Sequence, residues 1–339
     1  MARQSPSIQD VAKRVGVSIM TVSRAMRGVE GVSRAKREEI VEAAKALGYR
    51  PSRTARSLAA AHSTLIGISL PTLFNEVFAD ILDGMRHTFD LAGFDLVIDN
   101  SDYDSRREEL WVERMIDWKP AGVVLSGVDH TQAVRDQLRL ARIPTVEIWD
   151  QRSDPIDICV GIDHEAAGRT IGEYLVTSGY RRPAFAGVEE GRDPRAEKRL
   201  AGMRAAFLEA GLGEIIVRRS EKHASFEAGM NATNALLGMG RERPDCICYL
   251  NDHMAFGGLS TCEKQGLAVP EDIGIVGFNG LGINAVLPRP ITTVVTPRLL
   301  MGSLGARMLL ARIKGAKVDT RVIVPVALTP GATTRLAGR

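Results

Sequence analysis

Apolar residues near the start of the chain recur with a helical period. Ile8, Val11, Ala12 and Val15 stand at i, i+3, i+4 and i+7, one face of a helix. Gly16 follows, a residue that turns at positive φ without a Cβ clash. Ser18 offers a hydroxyl to the free amides opening a second helix, Ile19 to Met26, with Val22 and Met26 inward. Ala12 is small where the two helices must cross. This order predicts a helix-turn-helix, whose second helix enters the DNA major groove by its N-terminal end. A third helix is predicted over Arg34 to Leu47, with Gly48 as its left-handed cap. The next segment, SRTARSLAAA (52–61), has helix-forming alanines but almost no apolar surface. So short a helix is marginal in water, so the segment is expected to be a linker that turns helical only on DNA, or else a plain tether.

From Thr64 the pattern changes to short Ile/Val-rich runs alternating with amphipathic stretches. LIGISLP (65–71), FDLVID (94–99), GVVLSG (122–127) and IPTVEIW (143–149) form one series. ICVGID (158–163), RPAFAG (182–187), IIVRRS (215–220), CICYLN (246–251) and IGIVGFN (273–279) form a second. Such alternation predicts parallel sheets covered on both faces. The fold class is therefore α/β with an all-α N-terminal head: a helix-turn-helix domain (1–49), a hinge or linker (50–63) and a core of two doubly wound lobes (64–339). The last elements, ITTVV (291–295), a helix over 298–313 and VIVPVAL (322–328), read as returns that finish both lobes. The first lobe is expected over about 64–163 and 296–320, the second over about 164–295 and 321–335. Ligands of such sheets sit beyond the carboxyl ends of the strands, which places a small-molecule site in the cleft between the lobes.

Charge sharpens this division. Residues 1–61 hold 12 Lys/Arg against 5 Asp/Glu, and the remainder 32 against 36. A basic head on a mildly acidic body suits a nucleic-acid module joined to a domain with another task. No apolar run approaches the length of a membrane span, and MARQSPSIQDVAKR has no apolar stretch of a secretory signal. The expected location is the cytoplasm. Cys159, Cys246, Cys248 and Cys262 lie in apolar surroundings without zinc-ligand spacing. They are expected to be reduced core residues, with no metal or cofactor. The six histidines are scattered, and neither a G-x-S-x-G nor a phosphate-binding loop occurs. The sequence therefore does not read as an enzyme.

IQDVAKRVGVSIMTVSRAM, the YRPSRTARSL linker, IGISLPTLFNEVFADILDGM, DHEAAGRTIGEYLVTSGYRR, LNDHMAFGG and VPEDIGIVGFNG together resemble the lactose-repressor (LacI) family of bacterial transcription regulators, over about residues 7–334. MTVSR, NEVFADIL and TPRLLMGSLGARMLLARIKG bring it nearest the gluconate-operon repressors. The resemblance implies a homodimer, or a dimer of dimers, on pseudo-palindromic double-stranded operator DNA, and a periplasmic-binding-protein-like core. Ile19 and Met20 would then face base edges and, being apolar, read thymine methyls or shape. Ser18 caps the reading helix, and Thr21, Ser23 and Arg24 supply donors; Arg24 pairs with a guanine or clamps a phosphate. In the linker the resemblance makes Leu58 a minor-groove wedge. Ala55 and Ala59 would allow two linkers to approach, and Arg53 and Arg56 would meet phosphates.

For the effector, the resemblance sends Arg199 into the cleft, where an arginine holds a carboxylate bidentately. Asn251 and Asp252 stand where CICYLN meets its helix; Asp252 accepts from sugar hydroxyls, caps the helix, or both. Leu73, Asn75 and Phe78 form an apolar wall with one amide, and Ser126 ends its strand as a donor. Glu147 is an acid inside an apolar run, and an unpaired buried carboxylate is costly, so it faces the cleft or an arginine. Asn279 replaces the acid common after this strand in relatives. Fewer cleft acids favour a ligand that brings its own negative charge: gluconate or a close sugar acid. Two other classes fit the same chain, a sugar-binding protein with a vestigial head and a DNA-binding protein indifferent to small molecules.

Overall fold

The computed structural model describes residues 6–49, 63–73, 75–221 and 223–336. The chain divides into a head, Met1–Thr64, and a core, Leu65–Arg339. The head contains α1 (Ile8–Val15), α2 (Ile19–Arg27) and α3 (Arg34–Leu47). Each is punctuated the same way. Ser7, Ser18 and Ser33 cap the starts with their hydroxyls, and Gly16, Gly28 and Gly48 end them in the left-handed region. Val11, Ala12, Val22, Ala25, Ile40 and Ala44 close the small core between the three helices.

The core has two sheets. The first contains β1 (Leu65–Leu70), β2 (Asp95–Asn100), β3 (Gly122–Ser126), β4 (Thr145–Trp149), β5 (Ile158–Gly161) and β11 (Arg321–Ile323), in the order β11-β5-β4-β3-β1-β2 and wholly parallel. The second contains β6 (Pro183–Val188), β7 (Ile216–Ser220), β8 (Cys246–Tyr249), β9 (Gly274–Asn279), β10 (Thr292–Val295) and β12 (Ala327–Thr329), in the order β12-β10-β9-β8-β6-β7. Its edge strand β12 runs antiparallel to β10. Helices α4 (Glu76–Leu91), α5 (Ser105–Asp117), α6 (Gln132–Ala141) and α11 (Arg298–Ile313) accompany the first sheet. Helices α7 (His164–Thr177), α8 (Pro194–Glu209), α9 (Phe226–Leu237) and α10 (Asp252–Lys264) accompany the second. In both sheets the strand order reverses beside β1 and β6 respectively, so the carboxyl ends there open a crevice.

One boundary differs from the sequence expectation. The run 322–328 reads as one strand of the second lobe, but Arg321–Ile323 pairs with β5 in the first sheet and only Ala327–Thr329 joins the second. Pro325 lies between them, and without an N–H it cannot continue a ladder. The chain thus passes between lobes after Ile323, later than the expected 320/321.

The four cysteines are buried and unbridged. No helix among the described residues is long and apolar enough to cross a membrane. Helices α7 and α8 cross at glycines: a Cβ on Gly168 would sit 2.0 Å from the Arg199 carbonyl, and one on Gly202 2.0 Å from that of Glu165.

Candidate functional site

In the head, the first turn of α2 carries the candidate reading residues. Ser18 Oγ accepts from the Thr21 amide at 3.1 Å and shares a hydrogen bond with the Thr21 hydroxyl at 2.9 Å. Val22 and Ala25 point into the head core, which turns Ile19 and Met20 outward, 45% and 63% exposed. Arg24 is exposed, and Thr21 and Ser23 are half-buried on the same helix. Arg53, Ala55, Arg56 and Leu58 lie outside the described residues.

In the core, a cavity of about 570 Å³ opens where the strand ends of the two lobes meet. Of the residues expected there, Asn75, Phe78, Arg199, Asn251 and Asn279 line it. Asn75 caps α4 and Asn251 caps α10, each through its side-chain oxygen, to Val77 N at 3.1 Å and Met254 N at 3.0 Å. Their amide NH₂ groups are what each offers a ligand. Asn279 ends β9 at φ 117. Its Oδ1 is buried without a protein partner.

Arg199 is held on three sides. It donates to His164 Nδ1 at 3.0 Å and to the Leu250 carbonyl at 3.0 Å, and its guanidinium lies 4.1 Å over the Phe278 ring. A guanidinium only donates, so His164 accepts at Nδ1 and carries its proton on Nε2, which donates to the Trp149 carbonyl at 3.0 Å. Burial, then the Arg199 charge, push His164 well below its usual range, so it is neutral. Burial also lowers Arg199, to about 10, against the pull of Asp193; the side chain remains a cation at neutral pH.

Asp193 and Arg195 complete this wall. Burial pushes Asp193 up, but the charges of Arg195 and Arg199 outweigh it and hold the carboxyl at about 2. Arg195 Nε donates to it at 2.8 Å, and the guanidinium stands 5.7 Å from the Tyr103 ring across the lobes. Burial raises the Tyr103 phenol to about 12. Asp193, Arg195, Arg192, Tyr103 and His223 line the cavity but were not singled out as site residues from sequence. A signal existed for one of them: Arg195 lies four residues before Arg199, hence on the same helix face.

Four expected residues are placed elsewhere. Glu147 is fully buried inside the first lobe. It accepts from the Ile156 amide at 2.6 Å and from Arg135 at 3.4 Å, so the arginine alternative holds and the cleft alternative does not. Asp252 accepts from the Leu281 amide at 2.8 Å and from Thr293 Oγ1 at 2.7 Å. It ties the loop after β9 to β10, and the capping falls to Asn251. Leu73 is half-exposed outside the cavity lining. Ser126 lines a smaller side chamber of about 260 Å³, with Glu108 and His130; its Oγ is buried without a protein partner.

His130 lies 2.7 Å from Glu108 through Nδ1 and 3.1 Å from the Gly127 carbonyl through Nε2. Burial pulls its pKa down, but Glu108, Glu147 and that carbonyl together outweigh burial and raise it above 6.5. A raised folded-state pKa gives stability that is fully present below the unfolded value and lost as pH rises through the folded one. The stability deficit of Glu108→Gln, measured by urea melts, is therefore expected to be fullest below the ordinary imidazole range and to shrink as pH rises above it.

Residues 7–52 match the bacterial regulatory proteins of the lacI family, and residues 173–334 match the periplasmic binding protein-like domain. The chain belongs to the LacI family of bacterial transcription regulators, DNA-binding repressors with a helix-turn-helix head. It is 36% identical over 336 residues to the HTH-type transcriptional regulator GntR of Escherichia coli, covering 98% of this chain and 100% of that one. The regulator of the same name in Pseudomonas aeruginosa is 33% identical, over 92% of this chain and 91% of its own. A crystal structure of a LacI-family regulator from Silicibacter pomeroyi is 34% identical and superposes with a TM-score of 0.90, over 97% of this chain and 99% of that one. These relatives are regulators rather than enzymes.

Proposed function

We propose that this repressor answers to a sugar acid, gluconate or a close relative, bound between the lobes and releasing the protein from its operator. The observation that carries the reading is the charge of the cavity wall. Among the described residues, Arg107, Arg192, Arg195 and Arg199 line it against Asp102 and Asp193. A surplus of guanidinium groups suits a ligand with a carboxylate, and the asparagines suit its hydroxyls. The resemblance to gluconate-operon repressors points the same way. Two copies of the chain would place two heads on two half-sites. Phosphate contacts would supply most of the affinity and its salt dependence. If ligand and DNA favour different lobe arrangements, each weakens the other to the same extent.

The test is a gel shift on the gene's own upstream region, with and without gluconate, joined to calorimetric titration of gluconate, 2-ketogluconate, 6-phosphogluconate, glucose and purines. Heat with a sugar acid and release of the shifted band are expected. Binding of glucose or a purine alone would overturn the ligand assignment. A second expectation concerns the linker, where Leu58 is proposed as the wedge. Leu58→Ser weakens operator binding about tenfold or more, as loss of an intercalating contact does, and leaves effector affinity intact. Unaltered operator affinity removes the wedge.

A further inference from the structure

Arg298 opens α11 where the chain returns from β10 to the first lobe, and it is only 9% exposed. Its guanidinium reaches both lobes. Nη1 donates to the Asn279 carbonyl and, at 3.3 Å, to Thr296 Oγ1. Nη2 lies 3.5 Å from the Gly280 carbonyl. On the other side, Nε donates to Asp80 Oδ2 on α4 at 2.8 Å. Glu76, one turn earlier on α4, stands 3.9 Å from Nη2 and accepts from the Gly282 amide at 3.1 Å.

Asn279 is the cavity residue at the centre of this arrangement. A positive φ at a non-glycine residue persists only where its surroundings enforce it. Here the Asn279 carbonyl receives the Thr296 amide at 3.2 Å, the Thr296 hydroxyl at 3.1 Å and Arg298. The side-chain Oδ1, buried and without a protein partner, is an acceptor that a ligand donor would complete. Arg298 itself does not line the cavity.

We propose that Arg298 is a positioning residue that couples the effector cavity to the first lobe: it fixes Asn279 toward the ligand and, through Asp80, transmits any shift of that residue to α4. The DNA readout of this coupling rests on the effector-controlled function proposed above; the clasp itself does not.

The test uses the full-length protein and the variants Asp80→Asn, Arg298→Gln and Arg298→Lys. The first alters only the α4 end of the clasp. In ligand-free protein, Asp80→Asn is expected to speed amide exchange across residues 279–282 about fivefold or more. It is also expected to cut the ratio of operator Kd with and without gluconate about fivefold, with gluconate affinity of the free protein within about threefold. Arg298→Gln shows both changes more strongly, and Arg298→Lys reverses part of them. An unchanged ratio in a gluconate-responsive protein overturns the proposal, whatever the exchange result. If wild-type operator binding ignores gluconate, the proposed function fails, and exchange alone decides the clasp: acceleration in Asp80→Asn supports it, and wild-type rates overturn it.

Discussion

Arg199→Met is expected, if the proposed sugar-acid ligand is the right one, to weaken gluconate binding by at least about a hundredfold, ~3 kcal/mol, the scale of a buried charge-assisted hydrogen bond lost from one side. Three effects act together. The cavity loses a cation that lies over the Phe278 ring. The Leu250 carbonyl loses a donor. His164 loses the donor at Nδ1 and the charge that helped to hold it neutral. Arg199→Lys keeps the charge but not the planar fork, so it is expected to recover only part of the affinity. Calorimetry reads the affinity, and a proton NMR titration of His164 reads the environment. In Arg199→Met the imidazole should take up a proton at higher pH than in wild type, because one cause of its depression is gone. Wild-type affinity for gluconate in Arg199→Met would remove this residue from the site.

Gly202→Val is expected to be strongly destabilising although it lies outside the cavity lining. The crossing of α7 and α8 brings backbone within 2.0 Å of where its Cβ would sit. Backbone cannot rotate aside as a side chain does, so the helices must separate. Overpacking of this kind costs about 3 kcal/mol or more, a fall in Tm of roughly 6–12 °C for a domain of this size. Because α8 carries both Arg195 and Arg199, surviving folded protein should also bind the proposed sugar acid more weakly. Gly213→Ala is the control: nothing lies within 4 Å of the added Cβ, and its Tm should match wild type. Equal melting of the two variants would refute the close-packing account.

The head was legible because its signals are local. Serine caps, glycine ends and a 3.6-residue apolar period each act within one turn, so α1 and α3 fall where the pattern puts them. The lobes were legible as alternating strands and helices for the same reason. What sequence could not give was the direction of a side chain at the end of an element. Glu147 satisfied its burial with Arg135 and the Ile156 amide, a partner twelve residues away and one nine residues away, and nothing local announces either. Asp252 was spent on Leu281 and Thr293, about thirty and forty residues on. Asn251, its neighbour, took the cap. Asp193 and Arg195 escaped notice because Asp-Pro before a helix reads as an ordinary helix start. Only their burial beside Arg199 makes them part of a cation-rich wall. The split of 322–328 was invisible for a related reason: periodicity identifies a strand but not the sheet it joins.

The lobes are stitched together by three stretches of chain, from β5 to α7, from β10 to α11 and from β11 to β12. A body tied to another by a single strand swings freely; one sewn at three places keeps mainly a twist and a fold about its seam. Two of these stitches touch residues that line the chamber: His164 accepts from Arg199, and Thr296 and Arg298 donate to the Asn279 carbonyl. On the proposed function, filling the chamber would load the seam, and lengthening either stitch by a few residues should uncouple what the chamber holds from how the halves are turned.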